Sequence, residues 1–167
     1  IDVEAWQPIR PRVHRPFGPK SYGYAPGVLR DMRILRPQIV DLHGVWTYLS
    51  WAVSEYSRES GRPYIVTPHG MLNSEVLKYS RVKKCVAGML YERRHVEEAA
   101  CVRALSEYEA SALRRYGVSR PICIIPNGVN VECARSDDDP PWEIMRGAKV
   151  LLYLGRIHPI KNLHTLL

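Results

Sequence analysis

The sequence predicts an α/β protein with a doubly wound parallel sheet. Two observations carry this. Short apolar runs of strand length alternate with single stretches of helical periodicity, and the breaks between them fall at Pro, Gly and Asn. Several of the runs are continuously apolar, as strands covered on both faces are. Hydrophobic residues make up 46% of the 167 residues, ample for a core. No apolar run approaches the roughly 20 residues of a membrane-spanning helix.

Residues 1–25, rich in Pro, Arg and aromatics, resist assignment beyond a strand at the start. Pro26 suits a first helical position, and Val28, Met32 and Leu35 then form one stripe. Residues 39–43 read as a short buried strand. From Trp46 a helix carries Trp46, Leu49, Val53 and Tyr56 inward and ends at Gly61, before the Pro63 that opens the strand 64–67. Pro68-His69-Gly70 breaks that strand. A long helical region covers 80–99, followed by a strand at 101–105 and a helix opened by the capping box Ser106-x-x-Glu109 and closed at Gly117. Residues 122–125 are a further strand, and Asn127-Gly128 is turn chemistry.

Asp137-Asp-Asp-Pro-Pro141 marks a break, because three adjacent acids repel one another and two prolines withhold backbone donors. The expected division is a first domain at 1–134, a linker at 135–147 and the start of a second domain at 148–167. In that last stretch, 150–154 reads as a buried strand followed by a Gly155-Arg156 turn. Asn162 is then expected to cap a helix whose Leu163, Leu166 and Leu167 share a face. Free N–H groups at that helix start, the Lys161 ammonium and the Arg156 guanidinium would converge on a phosphate or diphosphate. The chain opens without a methionine and stops within a helical turn, so it reads as a fragment of a longer protein.

A formal net charge of +7 points to an anionic partner: a nucleotide diphosphate, nucleic acid or an acidic membrane surface. The basic residues are dispersed and lack the stacking aromatics of nucleic-acid readers, so no nucleic acid is expected. Cys85, Cys101, Cys123 and Cys133 show no C-x-x-C spacing; buried free thiols in a reducing cytoplasm, and no metal site, are expected. No Walker A loop, G-x-G-x-x-G fingerprint or hydrolase triad is discernible.

Four motifs stand in order: Asp41-Leu-His43-Gly-Val-Trp46, Pro63-Tyr-Ile-Val-Thr-Pro-His69-Gly70-Met-Leu72, Ile125-Pro-Asn127-Gly128-Val129 and Gly155-Arg156-x-x-x-x-Lys161-Asn162. Each alone is weak; in register they resemble the retaining glycosyltransferases of family 4, which have the GT-B fold of two Rossmann-like domains facing across a cleft. The resemblance implies sugar transfer of the hexosyltransferase type from a nucleotide-sugar donor to a sugar or lipid-linked acceptor, in cell-surface polysaccharide or glycolipid biosynthesis. Retention, no cofactor and no metal, and a cytoplasmic or inner-membrane-peripheral location are implied with it. By the same resemblance Arg156 and Lys161 grip the donor diphosphate, His69 contacts the donor sugar as the catalytic-site histidine, and Gly70 lets backbone approach the ligand. His43 and Trp46 look like an acceptor-side loop, and Asn127 and Gly128 shape the interdomain turn. The family's glycine-rich loop and paired glutamates are not in the chain, so the fragment itself is expected to be inactive. A non-catalytic nucleotide- or anion-binding module is the alternative reading.

The segment 78–94 allows two readings. On a helix Val82, Val86, Met89 and Leu90 share a face opposite Lys83, Lys84 and Arg94. The apolar stripe either packs on the sheet, or forms with the cations a peripheral contact for anionic lipid.

Overall fold

The computed structural model describes residues 8–19, 21–128, 151–155, 157 and 161–165. It divides into two compact units, Ile1–Pro126 and Asn127–Leu167.

The first unit is an α/β layer structure. Helix α1 (Pro26–Leu35) begins on the expected proline and ends at Arg36 in the left-handed region. Its buried residues are Leu29 and Met32, with Ala25 before them and Val28 packed half-buried against the same core, while Leu35 of the expected stripe is exposed. Strand β1 (Val40–His43) leads to α2 (Tyr48–Ser60), closed by Gly61 at φ +69 as its residue type predicts. Strand β2 (Tyr64–Thr67) follows, then the short α3 (Ser74–Lys78). The predicted long helix is α4 (Arg81–Ala87), one π-helical turn (Gly88–Glu92) and α5 (Arg93–Glu98) in succession. Strand β3 (Cys101–Ala104), helix α6 (Glu107–Tyr116) and strand β4 (Ile122–Ile124) complete the unit.

The four strands lie in chain order, β1-β2-β3-β4, and every pair is parallel, which makes this a Rossmann-like sheet flanked by helices. A single direction of strand order is one half of a doubly wound arrangement; the reversal of order is not among the described residues. Register aligns Leu42, Val66 and Val102 across the sheet. These three are buried, in one core with Val53 and Tyr56 of α2, Val96 of α5 and Leu113 of α6. The alternate residues Asp41, Ile65, Cys101 and Arg103 are exposed or half-buried.

Three expectations are corrected here. Trp46 precedes α2 rather than lying in it, because its backbone sits at φ +73, outside helical geometry. The apolar stripe of the long helix faces solvent: Val82, Met89 and Leu90 are each more than 70% exposed. The inward face carries Gly88, Glu92, His95 and Val96 instead. Periodicity says which residues share a face, not which face turns inward. Here Glu92 is drawn in by the Trp46 N–H, and His95 lies against the Tyr64 ring with Nδ1 at the Ser54 hydroxyl. The cysteines are not buried as expected, since Cys85 is exposed and Cys101 and Cys123 are half-buried with sulfurs 3.4 Å apart; Cys133 lies outside the described residues.

In the second unit, 151–154 is not the expected buried strand. These residues have no regular structure, and Leu151, Leu152 and Leu154 are exposed. A parallel strand satisfies its backbone only through neighbours, and no strand of this unit is among the described residues to supply them. Asn162, at φ +52, does not cap with its side-chain oxygen: its Nδ2 donates to Thr165 Oγ1 at 2.7 Å, and its carbonyl accepts the Thr165 N–H of a single 3₁₀ turn, Leu163–Thr165. The expected linker at 135–147 lies outside the described residues.

Candidate functional site

The site grows from the carboxyl ends of β1 and β2. Parallel pairing sets His43 beside Thr67, and the Gly44 N–H continues the ladder by donating to the Thr67 carbonyl at 2.8 Å. Both chains then turn sharply. Gly44 sits at φ +89 and Gly70 at φ +73, and two larger residues share the left-handed region with them, Trp46 at +73 and His69 at +52. Non-glycine residues held there are strained, and such strain gathers at functional turns. Pro68 anchors the second turn by its complete burial.

These turns bring His43 and His69 together. Nδ1 of His43 lies 2.8 Å from Nε2 of His69, and the ring centroids are 5.0 Å apart at 27°. That separation is the N–N distance plus one ring radius on each side, so the imidazoles meet edge to edge through a nearly linear hydrogen bond. Nε2 of His43 lies 3.3 Å from Oδ2 of Asp41, two residues back on the same strand face. The other carboxylate oxygen, Oδ1, is reached by the buried Thr67 hydroxyl at 3.5 Å. Asp41, His43 and His69 are all solvent-accessible.

Two glutamates support the turns from below. Glu109 is 5% exposed; Oε1 accepts the Gly70 N–H and Oε2 accepts the Leu105 N–H at 2.8 Å, while Ser106 Oγ accepts the Glu109 N–H. The capping box thus forms in part, with its carboxylate shared between the start of α6 and the turn bearing His69. Glu92 accepts the Trp46 N–H at 2.7 Å. Burial raises its carboxyl to about 7, against the opposing effect of that N–H bond.

The Trp46 indole N–H donates to the Met71 carbonyl at 3.3 Å, tying the two turns together again. Trp46 also walls an open cleft of about 670 Å³, with Leu77, Met89, Tyr116, Arg81 and Arg93 among its other lining residues. Lys84 lies on the same rim; its ammonium donates to the Val76 carbonyl, and partial burial lowers its pKa.

The structure therefore brings together His43, Trp46, His69 and Gly70. Asn127, Gly128 and Lys161 belong to the second unit, where all three are exposed, and Arg156 lies outside the described residues. Asp41, Glu92 and Glu109 are site residues the sequence reading missed. Glu109 carried a signal, as the acidic member of a capping box; Asp41 sat two residues before His43 in a strand; Glu92 carried none. Among the described residues no group of three His, Cys, Asp or Glu side chains is placed to hold a metal.

A parallel α/β sheet whose polar residues cluster beyond the strand ends is the architecture of a ligand-binding Rossmann-like domain. The family model for Glycosyltransferase Family 4 matches residues 3–133, and the chain belongs to that family. It is a glycosyltransferase domain. Among curated proteins none matches the chain.

Proposed function

We propose that the enzyme carrying this chain transfers a sugar, with retention, from a nucleotide diphosphate sugar to an acceptor hydroxyl in polysaccharide or glycolipid synthesis at the cytoplasmic face of a membrane. The observation that carries this reading is the strand-end pair His43 and His69, flanked by Gly44 and Gly70 in left-handed turns, within the region matched by the family. Such turns leave backbone close to any ligand seated there, and the histidine rings offer hydrogen bonds suited to a sugar.

The roles follow the family resemblance. His69 contacts the donor sugar. Arg156 and Lys161 grip the diphosphate and offset the charge that grows on it as the glycosidic bond breaks, without a metal. A diphosphate oxygen takes the acceptor proton in a front-side displacement. His43 and Trp46 border the acceptor. A screen of UDP- and GDP-sugars with the enzyme tests the reading: one sugar nucleotide is turned over with an anomeric configuration kept, and Arg156→Ala with Lys161→Ala raises donor KM and depresses kcat. Inversion, or kinetics untouched by the double substitution, refutes it.

The acceptor side is assigned to a lipid-linked molecule at an anionic membrane. Supporting this, Val82, Val86, Met89 and Leu90 are exposed on one helix whose flanks carry Arg81, Lys83 and Arg94. No helix among the described residues is long and apolar enough to cross a membrane, so the contact would be peripheral. Vesicles containing phosphatidylglycerol should carry the protein upward in flotation at low salt and lose it when Met89 and Leu90 are changed to glutamate. Absence of flotation at low salt excludes the membrane contact.

A further inference from the structure

We propose that Asp41 and His43 are positioning residues which fix the proton of His69 on Nε2, so that His69 presents a bare Nδ1 to a ligand hydroxyl. The inference rests on the reading of His69 as a ligand contact, and it specifies what that contact recognises.

The argument runs through the donor and acceptor chemistry of each group. An ionised carboxylate only accepts. Oδ2 of Asp41 lies 3.3 Å from Nε2 of His43, an ion-pair distance without hydrogen-bond alignment, and the negative charge there favours the tautomer of a neutral His43 that keeps its proton on Nε2. Nδ1 of His43 is then bare. It lies 2.8 Å from Nε2 of His69, a distance that two facing lone pairs cannot hold. The bridging proton must therefore come from His69, which donates Nε2–H to His43 and is left with an unprotonated Nδ1. The edge-to-edge meeting of the rings suits such a bond.

The backbone supports the same arrangement. His69 is held at φ +52 in a turn braced by buried Pro68 and by the Glu109 carboxylate on the Gly70 N–H. His43 ends β1 in direct register with Thr67, and the Thr67 hydroxyl reaches Asp41. Asp41, His43 and His69 thus hang from two paired strands rather than from a free loop.

The consequence is a choice of ligand class. A bare imidazole nitrogen accepts a hydrogen bond from a hydroxyl and has nothing to donate to a phosphate or carboxylate oxygen. The histidine pair is a polyol contact, and the anionic part of a sugar nucleotide is left to other groups.

The test begins with nitrogen NMR of the labelled chain at a pH where both rings are neutral. The expected result is a scalar coupling across the hydrogen bond between His69 Nε2 and His43 Nδ1, the proton residing on His69, with His69 Nδ1 unprotonated. Asp41→Ala, at a half-exposed position, should let the bridging proton divide between His69 Nε2 and His43 Nδ1 while the melting temperature holds; His43→Ala should release the same proton to solvent exchange. A proton found on His43 Nδ1 in the wild type, or one held on His69 Nε2 in Asp41→Ala as fully as in the wild type, overturns the relay. His69 Nδ1 should shift on adding a sugar nucleotide that the enzyme turns over but not on adding UDP, GDP or inorganic phosphate; a shift with phosphate alone overturns the hydroxyl assignment.

Kinetics of the enzyme separate positioning from bulk structure. Asp41→Ala should lower kcat/KM about tenfold, the worth of one oriented hydrogen bond, and should have no further effect in a His43→Ala background. Additive losses overturn the claim that Asp41 acts through His43. If no sugar nucleotide is turned over, the transferase reading fails while the NMR result still decides the relay.

Discussion

Glu109 accepts the backbone N–H of Gly70 across 39 residues of sequence, and with its other oxygen it accepts the Leu105 N–H. One carboxylate at the start of α6 therefore holds both the β3–α6 connection and the turn that carries His69. Glu109→Ala leaves two N–H groups without an acceptor, each worth roughly 1–3 kcal/mol when buried. A loss of about 3 kcal/mol in urea unfolding is expected. Glu109→Gln keeps one acceptor oxygen but turns an amide donor toward the other N–H, so it should fall between wild type and alanine. Equal stability of all three proteins would show that water replaces the carboxylate.

Gly70 and Gly88 should respond to alanine in opposite directions. At Gly70 a Cβ would meet Asn73 Nδ2 at 3.5 Å, ordinary contact, but the backbone stands at φ +73. Only the left-handed conformation opposes the side chain, and its cost is roughly 1–2 kcal/mol. At Gly88 the backbone is right-handed helical, and a Cβ would approach nothing closer than Trp46 Cζ3 at 4.0 Å. Gly88→Ala should stabilise by up to about 1 kcal/mol through helix propensity. Thermal melts of the two variants check both signs.

His95 makes acid stability predictable. Its ring is buried against Tyr64, Nδ1 lies 2.8 Å from Ser54 Oγ, and burial lowers its pKa from 6.5 to about 3. The unfolded chain takes up this proton from about pH 6.5 downward while the folded protein refuses it, so stability is lost as pH falls from there toward 3. Replacing His95 with Gln, which keeps a polar partner for Ser54 and does not titrate, should flatten that limb of the stability profile. A limb equally steep in the variant assigns the acid sensitivity to other groups.

Much of the fold could be read from the sequence because its signals are local. Pro26 starts α1, Gly61 and Gly117 end helices in the left-handed region, and Ser106 receives the Glu109 N–H as an N-cap should. The strands at 40–43, 64–67, 101–104 and 122–124 fall where short apolar runs predict them. What was not legible depends on distant partners. The inward face of 81–98 is chosen by the Glu92 bond to Trp46, 46 residues earlier, and by the contact of His95 with Ser54, against the pull of a good apolar stripe. The run at 150–154 has strand composition, yet composition cannot supply the neighbours that make a strand. His43 and His69 were visible as residues following strands; that their rings bond to each other follows from strand register together with the left-handed turn at His69, and that Asp41 stands behind them follows from the two-residue alternation of β1.

Glu92 gives the last prediction, and its sign is the reverse of that for most carboxylates. Its side chain is wholly buried, Oε2 takes the Trp46 N–H, and Oε1 has no hydrogen-bond partner of normal geometry among the described residues, although the Ser50 hydroxyl lies near enough to ease its charge. Burial dominates and raises the carboxyl from 4.5 to about 7. Between those values the folded protein keeps a proton that the unfolded chain has released, so folding stability falls as pH rises through the window and is greatest below 4.5 as far as this group is concerned. The full effect above pH 7 is on the order of 3 kcal/mol. Glu92→Gln retains an oxygen for the Trp46 N–H and carries no charge, so it should exceed wild type in stability at pH 8 and match it near pH 4.5. The comparison of the two proteins cancels His95, whose opposite dependence both share. Parallel stability curves for the two proteins from pH 4.5 to 8 would mean that the carboxyl reaches water and is not held where its burial implies.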